Sequence, residues 1–584
     1  MDITIGTPRR LGHLPLVADV LRRTGLLSLL DKAIVDDRRS KVSTSECVTL
    51  IMCAVYIGDH GLWRMRERLA PYDMCTIMRD PGFDLSAFPE ERLAKALDDL
   101  AHFGLDKLMT AVAVQMIEQF HLNTDFLHFD TTSLSFYGAY EREDFESMSP
   151  DMPPGPRVTY GYAKNKRSDL KQIMFGTLVS ADGGVPVFGR ALDGNMSDNE
   201  SSADFFARVR SLVHDPRAVV CVADSKGWCG RVLRLIDSQK MRLLSRMPRT
   251  QGLHAEVMAK PWHPTGTMTI PARSKQDPPD HYEFSGCDAE QEFTVEETGP
   301  DGNPVAITFT IAVRAVRVFS SALLRQKVAT LERIRKREAT MAKGKIRSWQ
   351  ARAYACADDA ERAAARHAID HGFISLDLQP LVTAVAGPFK PGRGRPRKNP
   401  EPDLPRSHYR ITYTTSPVST EISTERLRNS AHFILVRNRQ EGWMIADSEL
   451  ITRYKGQYHN EHGFSWLKST AGLNPVFLET PHRIASLCFL YTIGLMIWNL
   501  IQRTVRMYLK NAKAGLPYHR NKPSDHITTK FLFELFPSVQ TIPLTLPDGT
   551  RQNQLAGMEK WQELACRALG VSRQAFHPVV ENRA

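Results

Sequence analysis

The sequence predicts an α/β protein: a mixed-sheet core, interrupted by a large β-rich and helical insertion and preceded by an all-helical N-terminal domain. Three observations predict it. Residues up to about 120 repeat apolar positions at helical spacing; from about 122 the pattern changes to alternation and continuous apolar runs. Between about 250 and 440 the composition turns Pro/Gly-rich and then strongly basic before sheet and helix patterning resumes. The 584 residues allow roughly four domain-sized pieces. With 42% hydrophobic and 24% charged residues, extended disorder and fibrous repeats are excluded. A formal charge of +11 favours an anionic partner, a modest bias over this length.

In the first region (1–121), LPLVADVLRRTGLLSLLDKAI, SECVTLIMCAVYIG and ERLAKALDDLAHFGLDKLMTAVAVQMIEQF all carry the helical rhythm. Between them Arg64, Arg66 and Arg68 stand beside Trp63, which suits either DNA reading or dimerisation. The next region (122–250) opens the core. DFLHFDTTSLSF alternates as a strand, and LKQIMFGTLVSADGGVPVFGRAL reads as two strands joined at Asp182-Gly183-Gly184. A helix follows in NESSADFFARVRSLVHD, then AVVCVADSKG, an apolar run of the kind buried on both sheet faces.

The insertion (251–440) has short β-like runs, then a charged helix over about 322–370 with few acids, an arm suited to phosphates or a solvated face. FKPGRGRPRKNPEPDLP follows. Arg393 and Arg395 flank a Gly in an extended cationic ribbon that resembles an AT-hook for a narrow minor groove, and equally suits a basic linker. HYRITYTT and AHFILVRN read as further strands. Residues 441–510 return to the core with SELITRYKGQYHNEHGFSWLKST and an uncharged run, Ile484 to Ile501, which reads as a buried helix and not a membrane span. Residues 511–584 are a less regular C-terminal region, for dimerisation or DNA contact.

Three acids stand out. Asp130 and Asp224 each end an apolar strand, where α/β sheets place their sites, although an N-cap or loop acid has the same signature. Glu461 lies on the predicted helix. At ~100° per residue, Tyr454, Gln457, Glu461 and Lys468 share a stripe roughly 60° wide. Gly456 and Gly463 weaken that helix by up to ~1 kcal/mol each, which suits a helix with a positional role. Three carboxylates from two strands and a helix suit a pair of hard divalent ions and in-line phosphoryl transfer. Lys468 suits a phosphate and Tyr454 a base or sugar.

These segments resemble the DDE transposases of the insertion-sequence-four group, bacterial mobile elements. YKGQYHNEHGFSWLK is similar to their Y-x2-R-x3-E-x6-K signature, with Gln457 in place of the Arg; FDTTSL and VVCVADSKG resemble the first two catalytic segments. GYAKNKRSDLKQIMFG and LDGNMSDNES resemble intervening motifs, which brings in Lys164, Arg167, Asp169, Gln172, Asn195 and Asp198. The resemblance implies a ribonuclease-H-like core with Asp130, Asp224 and Glu461 as catalytic and metal-ligating residues. It implies two Mg²⁺ ions, with Mn²⁺ as substitute, and cleavage and joining of double-stranded DNA at terminal inverted repeats and target within a homodimeric synaptic complex. Tyr454, Gln457, Lys468, Lys164 and Arg167 would contact DNA. The departure at Gln457 removes a charge from that contact. A domesticated DNA-binding relative and a metal-dependent nuclease on the same core are the alternatives.

Other chemistries lack their residues. The nine cysteines form no CxxC pair, so neither a disulfide framework nor a zinc ribbon is expected. No P-loop or G-x-S-x-G elbow is present, so no nucleotide cofactor is expected. The N-terminal residues lack the apolar core of a signal peptide, and a cytoplasmic, nucleoid-associated protein is expected. His128, His459 and His462 crowd the acids without HxxxH spacing, a weak alternative metal set.

Overall fold

The computed structural model describes residues 3–36, 40–58, 61–138, 140, 151–164, 167–249, 252–271, 277–298, 301–373, 375–387, 407–417, 425, 427–470, 473, 476, 478–518 and 522–579. Two compact units result: Met1–Lys260 with Asp288–Arg314 and Leu435–Ala584, and Pro261–Cys287 with Ala315–Ile434. The N-terminal helices, expected as a domain of their own, belong to the first unit, as do residues 288–314 of the expected insertion and the C-terminal region.

The reason lies in where the helices bury their apolar faces. Leu14–Arg23, Leu26–Ala33, Thr44–Tyr56, Glu90–Phe103 and Leu105–Gln119 form as the periodicity predicts. Ser43 starts the third with a capping box, its side chain accepting the Glu46 N–H while the Glu46 carboxylate accepts the Ser43 N–H. Their apolar stripes pack on Pro481–Asn511, the helix that contains the uncharged run. That helix is long and apolar enough to cross a membrane, yet 83% of its apolar window is buried within the protein. Its polar groups find protein partners: Ser486 Oγ donates to Leu97 O at 2.6 Å, and Asn499 Nδ2 to Gly184 O at 2.6 Å. Arg483 grips Asp98 through two hydrogen bonds of 2.7 and 2.8 Å. The two ends of the chain also meet, because residues 4–5 and 9–10 pair antiparallel with strand Gln540–Thr545. The C-terminal region is therefore a hairpin and a helix, Lys560–Leu569.

At the centre of the unit is a mixed sheet. Strands β1 (Phe126–Phe136), β2 (Lys171–Ser180), β3 (Pro186–Leu192), β4 (Val220–Ala223) and β5 (Arg242–Arg246) lie in the spatial order 3-2-1-4-5. β1, β2 and β3 pair antiparallel; β1–β4 and β4–β5 pair parallel. Helices Asp198–Leu212 and Gly230–Ser238 supply the crossovers that parallel neighbours require. β4 is buried along its whole length, as its apolar run demands. β5 was not legible in the sequence because its RLLSR run begins and ends on Arg and carries no continuous apolar stretch. Residues 435–437 extend the sheet antiparallel to β5.

In the second unit the expected single charged helix is two, Ser321–Gln350 and Ala357–Asp370, broken between them. Ala360, Ala364, Leu378, Ile411 and Tyr413 form its core, with Trp349 packed against them. Leu378 comes from Leu376–Val385, a strand the sequence did not reveal, paired antiparallel with His408–Pro417. Instead of short β-like runs, the chain makes the long strands Asp280–Thr298 and Pro304–Ser320, whose residues are divided between the two units. Arg393 and Arg395 of the AT-hook-like ribbon lie outside the described residues.

Candidate active site

Asp130 was expected at a strand end but is the fifth residue of β1, which continues to Phe136. It is nevertheless at the carboxyl edge of the parallel pairing. The β1–β4 register runs Phe126↔Val220, Leu127↔Cys221, His128↔Val222 and ends there, so Asp130 and Asp224 each stand two residues past its last pair, Asp224 just outside β4. Both acids therefore stand at the same end of this parallel pairing, and both act on the Tyr454 phenol. Asp224 caps a short 3₁₀ turn, accepting the Lys226 N–H at 2.9 Å, and its own carbonyl accepts Ser245 Oγ at 2.6 Å. The cap that a bland reading of Asp224 required is present, and it also fixes the carboxylate at the sheet edge.

Cations flank the pair. Lys164 Nζ stands 3.5 Å from Asp130 Oδ1 and donates to Thr131 O and Oγ1 at 2.7 and 2.8 Å. Burial, then the neighbouring Lys164 charge, pull the Lys468 ammonium below its usual range. Burial pushes the Tyr454 phenol up to about 12; Asp224 and Asp130 push the same way, and Arg246 opposes them. Tyr454, Lys164 and Lys468, three of the residues singled out in the sequence, therefore gather round the two acids, and Arg246 joins them. Arg246 gave no signal, since it ends the short strand β5.

The helix carrying Glu461 is pinned to the same face. It is not one helix but three consecutive segments: Asp447–Lys455, Tyr458–Ser465 and a π-helical stretch Trp466–Thr470. Gly456 and Gly463 are explained by contact. A methyl group at Gly456 would stand 2.7 Å from the His128 ring, and one at Gly463 would stand 2.9 Å from Leu495. Asn460 bridges the helix to the sheet. Its Nδ2 donates to His128 O at 3.1 Å, and its Oδ1 accepts Thr177 Oγ1 at 2.9 Å. Thr177 is the cross-strand neighbour of Asp130. Asn460 thus ties the helix turn that carries Glu461 to strands β1 and β2. No sequence pattern marked Asn460.

Glu461 is exposed, and among the described residues no three His, Cys, Asp or Glu side chains converge as a metal-holding group. His128 is fully buried with neither ring nitrogen hydrogen-bonded, and burial followed by His459 pulls it down to about 3. Gln457 Nε2 is buried without a hydrogen-bond partner, so the residue in the usual Arg position points inward. Arg167 is engaged with Asp169 at 2.8 and 2.7 Å. Gln172 is structural, its Nε2 donating to Gly194 O at 2.8 Å, while Asn195 is exposed. In the N-terminal helices Trp63 is 65% exposed with Arg64 over its ring at 5.1 Å.

Residues 7–114 match a family model described as a domain of unknown function (DUF4277). No curated protein matches the chain. Among solved structures, the chain is similar to one titled "Cryo-EM structure of piggyBac transposase synaptic complex with hairpin DNA (SNHP)", at 11% identity and a TM-score of 0.25. The similarity covers 52% of this chain and 63% of that one, so the chain spans less than two thirds of that structure's length. A likeness of this size carries no inference about chemistry. The local geometry has to.

Proposed function

We propose that the protein is a DDE-type transposase that cuts and joins DNA at the ends of its mobile element, on a ribonuclease-H-like core. The observation that carries the reading is that Asp130 and Asp224 both lie just past the carboxyl end of the parallel β1–β4 pairing and both act on the Tyr454 phenol. The 3-2-1-4-5 strand order, with its first three strands antiparallel, is the arrangement such a core requires.

The donor set fits a hard divalent ion. Asp130 and Asp224 supply carboxylate oxygens at one end of the same strand pairing, and a divalent cation between them would offset their mutual repulsion. Asp130, Asp224 and Glu461 would hold Mg²⁺ or Mn²⁺, Glu461 moving in from its exposed position on a helix already docked by Asn460. The ions would activate the attacking hydroxyl and stabilise the leaving oxygen. Lys164 and Lys468 place positive charge where a scissile phosphate would lie, and Tyr454 presents its phenol beside them. A second reading, a DNA-binding relative without catalysis, is favoured by the exposed Glu461 and by Gln457 in place of Arg.

The test is strand cleavage by the full chain with Mg²⁺ or Mn²⁺ on duplex DNA carrying the sequences that flank its gene. Cleavage and joining are expected, with Asp130→Asn, Asp224→Asn and Glu461→Gln each losing both while retaining DNA binding. Normal cleavage by any of the three removes that residue from the site. No cleavage by the parent chain favours the second reading.

A further inference from the structure

Helix Ser321–Gln350 in the second unit carries an unbalanced stripe of charge. Glu338, Ala342, Ile346 and Trp349 face inward: Glu338 accepts the Ser375 N–H at 2.9 Å, Ala342 packs with Phe373 and Leu376, and Ile346 and Trp349 pack on the core around Tyr413. At ~100° per residue, Arg333, Lys336, Lys343 and Arg347 fall within an arc of ~80° centred about 140° from that inward stripe. All four are exposed, and none has a carboxylate partner among the described residues. Arg333 bonds only within its own helix, to Ala329 O and Thr330 Oγ1. Arg325, on the same side, differs because Asp280 neutralises it. The four span ~21 Å along the axis.

Most basic helix faces are solvated and mixed in sign. The charged side chains within this arc are all basic, and the exposed Glu332, one turn from Lys336, stands at its edge. The arc also lies opposite the helix's own packing face, so the cations cannot turn inward. Duplex DNA presents one phosphate charge per ~1.7 Å of axis, so a 21 Å stripe faces about a dozen of them. Rows of Arg and Lys on a rigid helix suit a regular array of phosphates better than an irregular acidic protein surface.

We infer that Arg333, Lys336, Lys343 and Arg347 form a sequence-independent docking rail for the phosphate backbone of duplex DNA, separate from the carboxylate site. That the polyanion is DNA rests on the transposase reading; the rail's chemistry does not need the carboxylates. Four neutralised phosphates contribute about −3.6 to the slope of log K against log salt, or an affinity loss of about 150-fold for a fourfold rise in salt.

The experiment measures binding of the full chain to a random-sequence 30-base-pair duplex by fluorescence anisotropy, between 50 and 200 mM NaCl. Arg333→Gln/Lys336→Gln/Lys343→Gln/Arg347→Gln should flatten the slope by about 3.6. The charge-preserving Arg333→Lys/Lys336→Arg/Lys343→Arg/Arg347→Lys should keep it, which separates charge from folding. An unchanged slope in the neutral variant overturns the rail. So does an unchanged DNA slope with lost retention on phosphatidylserine vesicles, which assigns the stripe to a membrane surface. Asp130→Asn, read for cleavage in parallel, keeps the two proposals apart: intact cleavage sinks the catalytic reading and leaves the slope difference standing.

Discussion

Replacing Gly456 with Ala tests how the Glu461 helix is seated. On an isolated helix the change should stabilise by up to ~1 kcal/mol, because Ala is the better helix former. In this protein the new methyl carbon would lie 2.7 Å from His128 Cε1 and Nε2 and 3.0 Å from Arg453 O. Ordinary carbon contacts are ~3.5–4.0 Å, so about 1 Å must be taken up. The His128 ring is 0% exposed and has no solvent to swing into. Overpacking of this kind costs ~1–3 kcal/mol, which leaves a net loss of up to ~2 kcal/mol after the propensity gain. The strain would lift the helix from β1 and lengthen the Asn460–His128 bond, so cleavage should fall with stability. Urea denaturation of Gly456→Ala, His128→Ala and the double variant gives the coupling directly. In the His128→Ala background the ring is gone, and Gly456→Ala should become neutral or stabilising. A parent-background Gly456→Ala that gains ~1 kcal/mol would refute the contact and the seating built on it.

Three histidines, His128 buried and His13 and His459 half-buried, make stability depend on acid. Burial is the largest cause for each, and it pulls His13 and His459 to about 4 and His128 to about 3, against 6.5 for an ordinary histidine. Below pH 6.5 the unfolded chain takes up protons that the folded chain refuses. Stability is complete above that pH and falls between 6.5 and 4 by about 1.4 kcal/mol per unit for each histidine. His128→Leu should remove one such share from the slope of unfolding free energy against pH, and an unchanged slope would contradict the burial. Asn460→Leu should cost ~2–4 kcal/mol by calorimetry, because it strands the His128 carbonyl and the Thr177 hydroxyl in the interior. Burial pushes Asp98 up, yet hydrogen bonds from Arg483 and then His482 outweigh it and hold the carboxyl at about 2. Asp98→Asn should therefore lose ~2–3 kcal/mol at pH 7 in urea melts, and a neutral result would show that the Arg483 contact contributes little.

Local pattern alone carried the sequence a long way. The helical rhythm of residues 14–119, the alternation of DFLHFDTTSLSF and the apolar run ending at Asp224 specify period and burial residue by residue, and the structure forms those elements. The same patterns picked out Asp130, Asp224, Tyr454 and Lys468, because a polar group beside an apolar strand or on a helix stripe is visible one segment at a time, whereas Lys164 came only from the family resemblance. Pairing is not. Which strand lies beside β1, and in what register, depends on long-range packing, so only the tertiary structure brought Asp130 and Asp224 to one end of the same parallel pairing and Arg246 within electrostatic reach of Tyr454. The two glycines looked like defects in a helix until His128 and Leu495 supplied the surfaces they touch. The N-terminal helices looked separable until Pro481–Asn511 took up their apolar faces, since a helix period states that a face is apolar and not what will cover it.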